Sequence, residues 1–125
     1  MNANHRVLLI GFDPRAVPDV DANMVEMAIA MGEARLQDAG FATAYCLFAP
    51  GDLDIDARVV DALRSQPADC VVVGGGIRKP DEHLVLFERI VNLIRVHAPS
   101  AAIAFNATGA DSVDAVLRWL DPGRA

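Results

Sequence analysis

Four short apolar segments, each followed by a helical pattern, constrain this chain more than any other feature of its sequence. They are RVLLIG (6–11), FATAYCLFA (41–49), the run Asp69–Gly74 and AAIAFN (101–106). Parallel strands read as apolar almost throughout because helices cover both faces of their sheet. The order βαβαβαβα predicts a four-stranded parallel sheet in a three-layer α/β/α sandwich. The crossover rule favours the flavodoxin-like strand order 2-1-3-4.

The predicted helices cover residues 21 or 23 to 39, 55–65, 81–97 and 110–120, and a short polar tail follows the last of them. Asp21 or Asn23 caps the first helix, and Gly40 ends it. An apolar stripe on this helix is expected to fill the core, with an adaptable binding face as the alternative interpretation. The stripe contains Met24, Met27, Ala28, Met31 and Ala34.

Length and composition indicate one packed domain over residues 1–125. Hydrophobic residues make up 53% of the chain and charged residues 22%, which favours a globular core over disorder. Apolar runs fall far short of the roughly 20 residues of a membrane span. The N-terminal segment lacks the apolar stretch of a signal peptide. We therefore expect a cytoplasmic protein with no membrane partner.

Charge and metal-ligating residues exclude further classes. The net charge is −6, and Arg78-Lys79 is the only adjacent basic pair, so we expect no nucleic-acid partner. Cys46 and Cys70 have no CxxC spacing and are expected to be buried, unpaired thiols. The three histidines are scattered, which predicts no metal site. No cofactor motif is complete, so no cofactor is expected.

The third strand ends in three glycines, two cations and a helix-start signal, in the sequence GGGIRKPDEH (74–83). In a 2-1-3-4 sheet the loops after strands one and three face each other across a crevice, where such folds bind ligands. Glycines permit unusual backbone conformations and a close approach of ligand to main chain. Arg78 offers a planar fork for a carboxylate or phosphate, beside a helix N-terminus. A tight turn with solvated cations is the structural alternative.

The residues predicted to line this crevice come from three loops. The expected ligand-binding residues are Gly74, Gly75, Gly76, Arg78, Lys79, Arg15, Asn106 and Thr108, with Glu82 at the same rim. Asp13 and His83 are candidates for a general acid or base. No serine lies in a G-x-S-x-G turn, and neither cysteine lies at the rim, so covalent catalysis has no evident nucleophile. Whether the chain is an enzyme stays open at this stage.

The third helix, 81–97, is apolar over more than half of its circumference. One sheet face covers only part of such a helix. A partner subunit is the natural cover, so we expect a homodimer through helix 81–97, with help from the last helix and Trp119. An exposed patch on a monomer is the alternative.

Three known families with this architecture differ from the chain in their motifs. Receiver domains need a phosphate-accepting aspartate after strand three, where this chain has Gly74, although Asp13 matches their first acidic position. The Ser/Thr-rich loop of flavodoxins and the D-x-H-x-x-G of cobalamin-binding domains are both absent. The segments VVVGGGIRKPDEHLVLFERIV and AAIAFN resemble small, functionally uncharacterised bacterial proteins of flavodoxin-like shape. That resemblance covers most of the chain and implies no particular activity.

Two functional hypotheses follow from these features. The first is a homodimer that binds a small anionic metabolite or nucleotide in the crevice, with Arg78 and the glycine backbone holding the anion. The second is a non-catalytic dimeric interaction or regulatory module built on a degenerate receiver-like scaffold. A ligand that contacts the crevice favours the first, and an apolar face of partner size favours the second.

Overall fold

A computed structural model describes residues 5–121 of the protein and confirms the predicted sheet. The strands are β1 (Arg6–Phe12), β2 (Ala42–Phe48), β3 (Cys70–Val73) and β4 (Ala102–Phe105). All neighbouring strands are parallel, in the order β2-β1-β3-β4. The architecture is therefore the predicted three-layer α/β/α sandwich of flavodoxin-like shape. The predicted polar tail, DPGRA (121–125), is described only at its first residue, and residues 122–125 and 1–4 lie outside the described residues.

Within residues 5–121, five α-helices connect and follow the strands. They are α1 (Ala22–Asp38), α2 (Ile55–Ser65), α3 (Gly75–Arg78), α4 (Leu84–His97) and α5 (Ser112–Leu117). Short 3-10 turns cover Pro14–Ala16, Asp81–His83 and Gly109–Asp111. The third predicted helix therefore begins with a 3-10 turn and is α-helical only from Leu84. Among residues 5–121 there is no helix with the length and apolarity that a membrane span requires.

Helices cover both faces of the sheet, and successive strand residues point to opposite faces. Leu8, Ile10, Val71 and Val73 pack against α2, α3 and α4. Residues of the opposite parity pack against α1 and α5, and they are Val7, Leu9, Cys70, Val72 and Ala104. All four residues of β3 are buried, as the apolar run predicts. The C-terminal ends of β1, β3 and β4 meet at one edge of this sheet.

Helix α1 is bounded as predicted, but its apolar stripe faces away from the core. The Asp21 side chain accepts a hydrogen bond from the Met24 N–H at the start of the helix. Gly40, just past its end, has a φ of 95°, a conformation that favours glycine. Met24, Met27 and Met31 are 68%, 68% and 48% exposed. The core-filling interpretation was wrong, because α1 buries Gly32 and Leu36 on its other side.

Helix α4 is covered by its own chain to a greater extent than the sequence predicts. Ile90 and Ile94 are fully buried, and α2 packs alongside the helix with a hydrogen-bonded ion pair from Arg89 to Asp56. Exposed large apolar side chains remain mainly at its two ends, where Leu84, Val85 and Val96 are 57%, 64% and 59% exposed. The middle of its outer face is polar, as the predicted Glu88, Asn92 and Arg95 stripe requires.

Candidate functional site

The glycine segment after β3 forms a one-turn helix rather than an open loop. Gly74 is the extended residue before it, with φ −68° and ψ 148°, and Gly75–Arg78 are helical. None of Gly74, Gly75 and Gly76 has a positive φ, so the unusual backbone conformations that glycine permits are not used at these three positions. A Cβ on Gly75 would lie 2.8 Å from the Ala107 carbonyl oxygen. The close approach therefore exists, and it is made by the chain's own backbone.

Both adjacent cations bind the loop that follows β4. The Arg78 Nη2 donates to the Asn106 carbonyl oxygen at 3.0 Å, and the Lys79 Nζ donates to the Ala107 carbonyl oxygen at 2.9 Å. Arg78 Nε is buried and has no hydrogen-bond partner within residues 5–121. The two side chains that sequence reasoning assigned to an anion thus make polar contacts inside the protein. Part of their donor capacity is used to hold the β3 and β4 loops together.

Asn106 is the polar centre of this edge. It is 6% exposed, and its Oδ1 accepts from the Gly75 N–H at 2.9 Å. Its Nδ2 donates to the Ser112 hydroxyl oxygen at 2.9 Å, and that hydroxyl in turn donates to the Gly109 carbonyl oxygen. Ser112 is fully buried. Asn106 therefore connects the glycine turn to the start of α5. These hydrogen bonds also give its buried amide atoms the partners that water would otherwise supply.

Ser112 is a residue of this network that the sequence analysis did not identify. A signal for it exists directly before it, in the helix-start pattern Thr108-Gly-Ala-Asp111. The Asp111 carboxylate accepts from the Ala107 and Thr108 N–H groups, and the Thr108 hydroxyl accepts from the Ala110 N–H. Thr108, predicted to line the crevice, is therefore a capping residue of the turn before α5.

The loop after β1 is organised by contacts to α1 and β2. Asp13 accepts from the Arg15 N–H at 3.0 Å and caps the short 3-10 turn. The Arg15 guanidinium binds both carboxylate oxygens of Glu26, at 2.8 and 3.1 Å, and the Asn23 side-chain oxygen at 2.7 Å. This ion pair is about half exposed, with side-chain exposures of 58% and 44%. Arg15 thus points to α1 and contributes positive charge there.

His83 lies against the end of β1. Its ring packs edge-on against Phe12, with the ring centroids 4.9 Å apart, and the backbone N–H of His83 donates to the Pro80 carbonyl oxygen. The structure thus gives the imidazole an aromatic neighbour. Glu82, one residue earlier, is exposed. The structure gives neither side chain a hydrogen bond to Asp13, the other candidate acid or base, within the described part of the chain.

The described residues contain neither a cluster of metal ligands nor a reactive cysteine. Among residues 5–121, no cluster of three or more His, Cys, Asp or Glu side chains could hold a metal ion. Cys46 and Cys70 are free and buried, as predicted. Burial, followed by the nearby Asp69 charge, raises the pKa of the Cys70 thiol to about 12. Burial likewise raises the pKa of Cys46. Thiols with raised pKa values are poor nucleophiles at neutral pH.

The structure thus brings together five of the predicted binding residues, at the edge between β3 and β4: Gly74, Gly75, Arg78, Lys79 and Asn106. Arg15 and Thr108 are engaged elsewhere, and Gly76 is exposed. Anion binding at this edge stays a prediction. Comparisons with protein-family models, with curated proteins and with solved structures found no match.

Proposed function

We propose that this chain is a non-catalytic interaction module that functions as a homodimer. The observation that carries the proposal is the exposure of large apolar side chains on helices of both outer layers. Met24 and Met27 on α1 are each 68% exposed, and Val85 on α4 is 64% exposed. Scattered apolar residues are ordinary on a protein surface, but several on one helix face indicate a contact surface.

The contacts at the C-terminal edge of the sheet support a scaffold role over a ligand site. Arg78, Lys79 and Asn106 each bind backbone or side-chain groups of the chain itself. A ligand at this edge would have to compete with these internal hydrogen bonds. An interaction module makes no such demand, because its rigid sheet only has to present the helices.

The same proposal places the module in a reducing compartment, the cytoplasm. The two cysteines are unpaired, and proteins of oxidising compartments usually pair theirs.

Sedimentation equilibrium of the full chain tests the proposed function. The proposal expects the average mass to rise from one to two chains between low micromolar and near-millimolar concentration. A mass of one chain at every concentration would refute the homodimer.

A further inference from the structure

The outer face of α1 carries apolar residues at the spacing of a helix-packing seam. Met24, Met27, Met31 and Ala34 follow one another at intervals of three, four and three residues, and Val20 lies four residues before them. We call the first four the methionine stripe. All four are exposed. With Val20 included, the average interval is 3.5 residues, which keeps side chains on the line along which two helices pack.

The stripe is separate from the face that α1 uses within its own chain. Gly32 and Leu36 are buried on the other side of the helix, and a Cβ on Gly32 would lie 2.0 Å from the Gly109 carbonyl oxygen. The helix is therefore locked against the turn before α5, and its outer face has a fixed orientation. A fixed apolar stripe is suited to a specific partner, whereas a mobile one is not.

The stripe is complementary to itself when two copies of α1 run antiparallel. Side chains of an antiparallel helix pair meet in layers whose residue numbers have a constant sum. In one such register Met27 meets Met31 of the second copy, and Met24 meets Ala34. Each layer then combines either two flexible thioethers or one large and one small side chain. Methionine adapts to such irregular contacts.

The charges beside the stripe favour the same register. Asp21 and Arg35 flank the stripe at its opposite ends. In this register Arg35 of the other copy lies two residues, about 3 Å along the axis, from the layer of Asp21. Its long side chain also donates to the Ala110 carbonyl oxygen at 3.1 Å, and its remaining N–H groups can pair with Asp21, which gives two ion pairs by symmetry. A parallel pair leaves Asp21 and Arg35 about 21 Å apart along the axis, at 1.5 Å per residue. Sliding one helix by a heptad along the other also separates Asp21 from Arg35. The positions of these two charges therefore favour one orientation and one register of the helix pair.

The middle of the interface allows the two helices to approach closely. Ala28 and Ala30 flank the stripe near the two-fold axis of this register, and small side chains at such positions reduce the distance between helix axes. Charged side chains nearby already have partners on their own chain. Glu26 binds Arg15, and Glu33 accepts from the Thr43 hydroxyl. The acidic residues of α1 therefore do not oppose one another across the seam.

We propose that a second copy of this chain binds the methionine stripe, forming an antiparallel α1–α1 homodimer. This inference rests on the proposed function and gives it a surface, α1, that differs from the helix 81–97 predicted from sequence. A single helix pair is a small interface, so the dissociation constant is expected in the micromolar range.

Two matched charge substitutions test the surface by sedimentation equilibrium of the full chain. Met27→Glu lies on the stripe, and Val85→Glu lies on α4 at nearly equal exposure, 68% against 64%. Met27→Glu is expected to raise the dissociation constant at least about tenfold, because each dimer would hold two unpaired carboxylates against apolar side chains. Val85→Glu is expected to change it by less than about twofold. Unchanged thermal unfolding verifies that both variants fold.

The outcomes separate this inference from the proposed function. If Val85→Glu dissociates the dimer and Met27→Glu does not, the module is a homodimer through α4 and the α1 inference is wrong. A wild-type chain that is monomeric throughout refutes both.

Disulfide trapping tests the orientation. A mixture of single variants Met24→Cys and Ala34→Cys should form a mixed disulfide, because these positions share a layer in the antiparallel register. Each variant alone should cross-link poorly, since its two cysteines would lie about 15 Å apart along the axis. The native thiols do not compete, as Cys46 and Cys70 are buried. Cross-linking within each single variant, and none in the mixture, would overturn the antiparallel arrangement.

Discussion

Removal of the Asn106 side chain should destabilise the fold more than any other polar substitution at the C-terminal edge. Asn106→Ala deletes the acceptor of the Gly75 N–H and the donor to the Ser112 hydroxyl, two contacts of 2.9 Å in a residue only 6% exposed. A buried polar group left without a partner costs about 1–3 kcal/mol. The Gly75 N–H loses its acceptor, whereas the Ser112 hydroxyl keeps its bond to Gly109. We therefore expect a loss of about 2–4 kcal/mol in the free energy of unfolding.

Thermal and urea unfolding measure this loss. In a domain of this size, 1 kcal/mol shifts the melting temperature by roughly 4 °C, so Asn106→Ala should melt about 8–16 °C below wild type. Asn92→Ala is the control, because Asn92 is an exposed asparagine of α4 whose amide, within residues 5–121, bonds only to the Glu88 carbonyl oxygen one turn earlier. It should change stability by less than about 0.5 kcal/mol. A loss below about 1 kcal/mol for Asn106→Ala would refute the assignment of Asn106 as the link between β3 and α5.

Three further predictions concern the same architecture. Gly75→Ala should lower the free energy of unfolding in urea titrations by about 1–3 kcal/mol, because the added Cβ would lie 2.8 Å from the Ala107 carbonyl oxygen. The control is Gly51→Ala, where an added Cβ has no atom within 4 Å, and it should be neutral or slightly stabilising. Stability should fall above about pH 9 by up to 1.4 kcal/mol per pH unit, since the unfolded chain loses the Cys70 proton before the folded chain, where the pKa is about 12. Cys70→Ala should flatten that alkaline slope. Inorganic phosphate and nucleotides should leave the melting temperature of the wild-type chain unchanged at millimolar concentration.

Each of these three predictions has an outcome that would contradict it. Equal effects of the two glycine substitutions would mean that the β3 turn has room for a side chain. An alkaline slope that survives unchanged in Cys70→Ala would assign the pH dependence to other groups, namely Cys46, whose pKa burial raises, or Tyr45, whose pKa burial and the Glu33 charge raise to about 12. A clear stabilisation by phosphate would restore the anion-binding hypothesis for the C-terminal edge.

The fold was predictable because its signals are local and repeated. Four apolar runs between helical patterns determine a parallel sheet, and crossover handedness restricts the strand order. The bounds of α2, Ile55–Ser65, were predicted to the residue, since Pro67 follows closely after its end. Where signals overlap, as in Pro80-Asp81-Glu82, the predicted start of α4 preceded the observed one by three residues.

The site was harder to predict because residue type does not reveal which partner a side chain finds. Arg78 and Lys79 suggest an anion, but the nearest acceptors are the carbonyl oxygens of Asn106 and Ala107 from a loop 28 residues away. A glycine at a close approach gives the same sequence signal whether the neighbour is a ligand or the chain's own backbone, as at Gly75.

The direction of the methionine stripe was ambiguous for a related reason. A helical apolar period identifies one apolar face without saying whether that face meets the sheet. On α1 the inward side carries Gly32 and Leu36, preceded by Val25 and Ile29 at the same helical spacing, so two faces of this helix carry an apolar pattern. The methionine stripe was assigned to the core, although its three methionines are exposed.

The most direct test of the account is a methyl NMR dilution series on the unmodified full chain, labelled at its methionine methyl groups. Three of the four methionines lie on α1, at Met24, Met27 and Met31. If α1 is the homodimer surface, their methyl resonances shift together with concentration and fit one dissociation constant, equal to that from sedimentation. If the mass doubles while these three resonances stay fixed, another face forms the dimer and the central claim is contradicted.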